Sequence, residues 1–158
     1  MRGLSEEQGS QLVEFAFCIG IFLACLFAIS YFSIALYADH FVANAAKEGA
    51  RYAMVRGSSW DGTTCTSVSS FSCTATNANV KSYIASTLTP GLTSDNLTVA
   101  TSWPGTTSSG QTCDTTYGDD SPYCVVSVTV SYSFSSFLPF LPQHTLVFSS
   151  TSAVPISE

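Results

Sequence analysis

The sequence predicts an α+β protein in which a long N-terminal transmembrane helix continues into a small disulfide-stapled head with a short helix and an antiparallel sheet. Three observations carry that expectation. Residues from Phe15 to Ala38 form an unbroken uncharged run. Four of the six cysteines, Cys65, Cys73, Cys113 and Cys124, fall in the C-terminal part of the chain. Between Leu97 and Val154, short apolar stretches alternate with Ser and Thr at the period of half-buried strands. At 158 residues the chain has room for one anchor and one small core, but hardly for two domains. It divides into a leader (1–9), a transmembrane and spine helix (10–56) and an extracytoplasmic head (57–158).

The anchor comes first. Phe15–Ala38 spans 24 positions, about 36 Å of helix, which is enough to cross a hydrocarbon core of ~30 Å. A cleaved secretory signal would show a basic start, a shorter apolar run and a small-residue exit. Here Arg2 is the only base ahead of Glu6 and Glu7. The helical pattern then continues through Asp39–Arg56, which is Ala-rich and free of proline, with Phe41, Val42, Ala45, Ala46 and Ala53 at helical spacing. Gly57, Ser58 and Ser59 end it. Read as one rod from Ser10 to Arg56, it would be about 70 Å long, more than anchoring alone requires.

Head elements follow in order. Residues 76–88 place Val80, Tyr83, Ile84 and Leu88 on one helical face behind a Thr76 or Asn77 cap, and Pro90-Gly91 closes the segment. Residues 97–103, 124–134 and 145–154 read as strands. In the second, Val126, Val128, Val130, Tyr132 and Phe134 share one face and Ser or Thr mostly line the other. A sheet packed on the short helix and the end of the rod would bury those apolar faces.

The head cysteines are even in number in a polar, Lys-poor segment, which fits an oxidising compartment. Four cysteines allow three pairings. The local one, Cys65–Cys73 with Cys113–Cys124, is the simplest, and each closed loop would stabilise by about 2–4 kcal/mol on chain-entropy grounds. Cys18 and Cys25 are seven apart on one helix, about 10 Å along the axis, too far to bridge each other. They read as small apolar fillers, with a crosslink between subunits as the rarer alternative.

Charge excludes several functions. The formal net charge is −6. Residues 1–56 hold four bases and five acids, whereas 57–158 hold only Lys81 against six acids. No cluster of Lys and Arg is present to neutralise phosphates, so nucleic acid is not an expected partner. Asp114, Asp119 and Asp120 match no EF-hand spacing and read as a solvated loop. His40 and His144 have no metal-ligand spacing. No phosphate loop, nucleophile elbow or cofactor motif is recognisable, so the sequence offers no catalytic residue, metal site or cofactor, and an enzyme is not expected. Residues 137–142 (FLPFLP) form an apolar, proline-broken link that either covers the head's own core or meets lipid or a neighbour.

One side chain stands out in the anchor. Glu14 sits among Leu12, Val13, Phe15 and Phe17 at the fringe of the apolar run, where a charge costs on the order of 2.5–3.5 kcal/mol if it reaches the helix centre. It either snorkels to water or is balanced by a partner. Gly9 precedes it by five residues, in the string Gly9-Ser10-Gln11-Leu12-Val13-Glu14-Phe15. That string resembles the processing site of type IV prepilins. The likeness implies cleavage by a prepilin peptidase between Gly9 and Ser10, leaving Glu14 as the fifth residue of the mature chain. It also implies that Glu14 of one subunit neutralises the freed amine of a neighbour.

More specifically, residues 9–57 resemble the N-terminal region of TadE-like pseudopilins. The Val13-Glu14-Phe15 start is followed, at the proper separation, by Ala43-Asn44-Ala45-Ala46 and Gly49-Ala50-Arg51-Tyr52-Ala53. The resemblance implies a minor pilin or pseudopilin that joins or primes a Tad-type pilus. Its partners would be the prepilin peptidase, sibling pilins, the Tad assembly machinery and the lipid bilayer. Its place would be the bacterial inner membrane, single-pass with the head outside, or an extracellular pilus. The rival reading is a permanently anchored extracytoplasmic binding module that never joins a filament.

Overall fold

The computed structural model describes residues 4–56, 75–108, 110, 112–113, 123–135 and 145–157, with side chains from Gly9 onward. These fall into two compact units, one ending at Tyr37 and the other beginning at Ala38.

Helix α1 runs from Leu4 to Met54, so it begins six residues before Ser10, where the sequence pattern placed its start. The reason is local: no proline interrupts Leu4–Met54, and the segment before Gly9 is made of good helix formers. In the first unit the helix is exposed from Gly9 to Ser30 without a break. Its two mid-span hydroxyls are satisfied by the helix itself. Ser30 Oγ donates to the Leu26 carbonyl at 2.9 Å and Ser33 Oγ to the Ile29 carbonyl at 2.8 Å. Polar hydrogens in an apolar span need such internal acceptors.

The second unit is the head, and it contains the C-terminal part of α1. There Ala38, Val42, Ala45, Ala46, Ala50 and Ala53 are buried, a stripe at helical spacing that faces the core. Helix α2 covers Asn77–Ser86. Thr76 caps it as expected: the Thr76 side chain accepts from the Asn79 backbone N–H at 3.3 Å, and Asn79 Oδ1 accepts from the Thr76 N–H at 3.2 Å. The exchange is a capping box with Asn in the position usually held by Glu or Gln. It also satisfies Asn79, the one buried polar side chain among the described residues. Val80 and Ile84 point into the core, fully buried.

A 3-10 turn at Ser94–Asn96, not anticipated from the sequence, leads into β1 (Leu97–Ser102). The backbone N–H of Thr93 just before it donates to the Tyr132 hydroxyl at 3.3 Å. Strands β2 (Val125–Ser135) and β3 (Thr145–Pro155) complete an antiparallel sheet in the order β1-β2-β3. All three strands lie within a residue of the expected bounds. In β2, Val126, Val128, Val130, Tyr132 and Phe134 are all buried, as alternation requires. Leu97 and Val99 of β1 join them. The opposite face is a hydroxyl ladder, where Thr129 meets Thr151 at 2.8 Å and Ser131 meets Ser149 at 2.9 Å.

The Cys113–Cys124 disulfide forms, with a Cα–Cα distance of 5.8 Å. Both cysteines are fully buried, and the Cys113 N–H donates to the Gly105 carbonyl at 3.1 Å. Gly105 has a φ of +122°, in the region that a residue without Cβ reaches at no steric cost. Cys65 and Cys73 lie outside the described residues, as do Asp114, Asp119, Asp120, His144 and the link 137–142.

Candidate assembly surface on helix α1

Two stretches of α1 carry the residues singled out in the sequence, and they have different surroundings. The first surrounds Glu14. Gly9, Ser10 and Glu14 all lie within α1 and are exposed. The neighbours of Glu14 are bare hydrocarbon: Phe15 is 63% exposed and Phe17 71%. Val13, Ala16 and Phe17 line a shallow open hollow on the same part of the helix. The apolar residues run around the whole helix circumference rather than along one stripe. In water such a surface has no counterpart, and it needs lipid or other apolar helices around it. Among the described residues α1 is the one helix long and apolar enough to cross a membrane, judged by length and composition.

The second stretch is Ala43–Ala53, and it is built into the head. A Cβ placed on Gly49 would stand 2.6 Å from Ile84 Cδ1 and 3.2 Å from Val128 Cγ1, so α1 approaches α2 and β2 at a distance that only glycine allows. Ala45, Ala46, Ala50 and Ala53 extend the same close contact, while Asn44, Lys47, Glu48 and Arg51 face solvent. Tyr52 stacks on Tyr83 with ring centroids 4.4 Å apart and planes 13° apart. The Arg56 guanidinium lies 4.4 Å from the Tyr52 ring centre, in cation–π range. Burial pushes the Tyr52 hydroxyl above its ordinary pKa, the Arg56 charge pulls it back, and Tyr83 adds to the rise.

The carbonyls at the end of α1 are taken by the head rather than by water. Met54 accepts from the Ser157 N–H at 3.2 Å, and Arg56 accepts from the Ala75 N–H at 3.0 Å. Gly49, Asn79 and Arg56 were not singled out as structural residues in the sequence. A glycine inside an Ala-rich helix was the available signal for the first, since such a glycine usually marks close packing.

His40 is exposed on α1, and Cys18 and Cys25 are exposed free thiols. Among the described residues no group of three His, Cys, Asp or Glu side chains comes together in a way that could hold a metal.

The described residues thus define an apolar N-terminal helix whose far end forms part of the core of a small α+β head. Residues 9–51 match the family model described as TadE-like protein. The match takes in Glu14 and its apolar setting and ends two residues short of Ala53, so it covers the first stretch of α1, the second as far as Arg51, and none of the chain beyond. No curated protein and no solved structure shows significant similarity to the chain.

Proposed function

We propose that this chain is a TadE-like minor pilin or pseudopilin, made as a precursor and held in the bacterial inner membrane by α1. From there it joins, or primes, a Tad-type pilus. Its work is assembly, without turnover. The observation that carries this reading is the carboxylate of Glu14, five residues after Gly9 at the start of an exposed apolar stretch of α1 that holds no further charge up to Ala38, within the segment that matches the TadE-like family.

The physical logic follows from the charge. A prepilin peptidase cutting between Gly9 and Ser10 frees an ammonium group at Ser10. In a bundle of apolar helices neither that ammonium nor an unpaired Glu14 carboxylate is tolerable alone, because each loses its hydration. Brought together across two subunits they offset each other's desolvation. A growing end that exposes an unpaired Glu14 is therefore biased to take the next subunit in one axial register. The apolar side chains around it supply packing but no register of their own.

The test has two parts. The N-terminal residue of chain extracted from membranes should be Ser10, and Met1 would count against processing. Replacing Glu14→Ala should leave insertion intact and abolish co-assembly with sibling pilins in a crosslinking assay. Unchanged co-assembly would leave a tethered binding module as the better reading.

A further inference from the structure

The outer edge of the sheet, along β3, pairs with no further strand among the described residues; at its C-terminal end the Ser157 N–H, next in the outward series after Pro155, is taken by the Met54 carbonyl of α1. Two hydrogen bonds define which groups face that edge. Val125 N–H donates to the Pro104 carbonyl on the β1 side of β2, and Ile156 N–H donates to the Cys124 carbonyl on the other side. In an antiparallel ladder successive residues point their backbone groups to opposite sides. Even-numbered residues of β3 therefore bond to β2, while Thr145, Val147, Ser149, Thr151 and Ala153 direct N–H and C=O off the sheet. Pro155 falls in that outward series, where its missing N–H costs the β2 ladder nothing.

Natural edges are usually blunted by charge, a bulge or brevity. β3 has none of these, and the one edge proline, Pro155, stands at its very end. It is 11 residues long, pairs with β2 in unbroken register and carries no charged side chain. The core also stops short beneath it. Whereas the inward side chains of β2 are all buried, Phe148 and Val154 are only half-buried and Leu146 is 42% exposed. The opposite edge differs, since β1 is flanked by α2.

We propose that β3 pairs with β3 of a second copy of this chain, antiparallel and centred on Ser150, to give a continuous six-stranded sheet. The strand is complementary to itself in that register. Val147 faces Ala153 and Ser149 faces Thr151 of the other copy, both as full pairs of the outward hydrogen-bonding series, while Thr145 faces Pro155, which accepts from the Thr145 N–H and donates nothing. On the core side Leu146 meets Val154, closing the half-open flank. On the other side the Ser149–Thr151 contact repeats the hydroxyl pairs already seen between β2 and β3. No charge opposes the approach. A two-fold contact of this kind uses one patch twice and closes on itself. It is independent of processing at Gly9 and of Glu14.

The experiment uses the full chain in detergent micelles and in vesicles, with Cys18→Ala and Cys25→Ala as the parent. In the proposed register Ser150 faces its own copy as a non-hydrogen-bonded pair, with Cα atoms about 4.5 Å apart, within disulfide range. S150C should form a covalent dimer under mild oxidation, and T98C on the exposed face of β1 should not. V147K/A153K, at two solvent-facing positions, sets ammonium groups opposite each other at both ends of the contact and should abolish the S150C dimer. T151P, which removes an outward N–H together with the hydroxyl that meets Thr129, should do the same. Far-UV circular dichroism and an intact Cys113–Cys124 bridge report that the head still folds. Equal crosslinking of S150C and T98C would overturn the proposal, as would a dimer indifferent to V147K/A153K. Crosslinking of S150C only to a different pilin would overturn the second copy as occupant.

Discussion

Gly49→Ala tests whether the close approach of α1 to the head is needed. The added methyl would lie 2.6 Å from Ile84 Cδ1, 3.3 Å from Ile84 Cγ1 and 3.2 Å from Val128 Cγ1. A terminal methyl can often swing away, but Ile84 and Val128 are both fully buried, so any swing is against other close-packed side chains. Overpacking of this kind costs about 1–3 kcal/mol. Against it, alanine gains roughly 0.5–1 kcal/mol over glycine inside a helix. The packing cost is the larger, so the net expectation is a loss of about 1 kcal/mol. The partner substitution Ile84→Val deletes Cδ1 and by itself costs about 0.5–1.5 kcal/mol. In the double variant the closest clash no longer exists, so the two losses should fall short of additivity by about 1 kcal/mol. Urea unfolding of the full chain in micelles, followed by tryptophan fluorescence, reads all four species of the cycle. A G49A variant as stable as the parent, or strictly additive losses, would refute the reasoning and leave Gly49 as an ordinary helix position.

Two further predictions concern the head. Replacing Cys113 and Cys124 by Ala opens a loop of sequence separation 11, which on chain-entropy grounds removes about 3 kcal/mol; the midpoint of urea unfolding should fall accordingly, and an unchanged midpoint would contradict this. Because the Tyr52 hydroxyl has its pKa raised in the fold, its contribution to stability is fully present below the unfolded-state value of about 10 and is lost as pH rises through the folded-state value. Tyr52→Phe should therefore flatten part of the alkaline fall in stability, measured as the unfolding midpoint against pH, and an identical slope in both proteins would oppose that assignment.

The legibility of this chain follows how local each signal is. The strands were readable because Val126 to Phe134 alternate with Ser and Thr over a whole strand, and the anchor because no charge interrupts Phe15–Ala38. The Thr76 cap was readable because capping is decided within four residues. The function of Gly49 depends on Ile84 and Val128, far away in sequence, and nothing near Gly49 announces them. The partial cover of β3 was equally hidden. Residues 145–154 read as a strand with nothing to set it apart from the other two, and only the sheet order shows that it lies at the margin of the core. Around Glu14 the sequence showed an anomaly, and the fold adds exposure and bare neighbours to it.

Because Ser157 bonds back to Met54, the chain departs from α1 and returns to it at nearly the same place. Both ends of the described head beyond α1, Ala75 and Ser157, are thus bonded at the close of that helix. A different module could be grafted there if it offered one backbone donor to the last helical carbonyl and a face shallow enough to receive glycine and alanine. The likeness to the TadE-like family, which stops at Arg51, ends just before that junction.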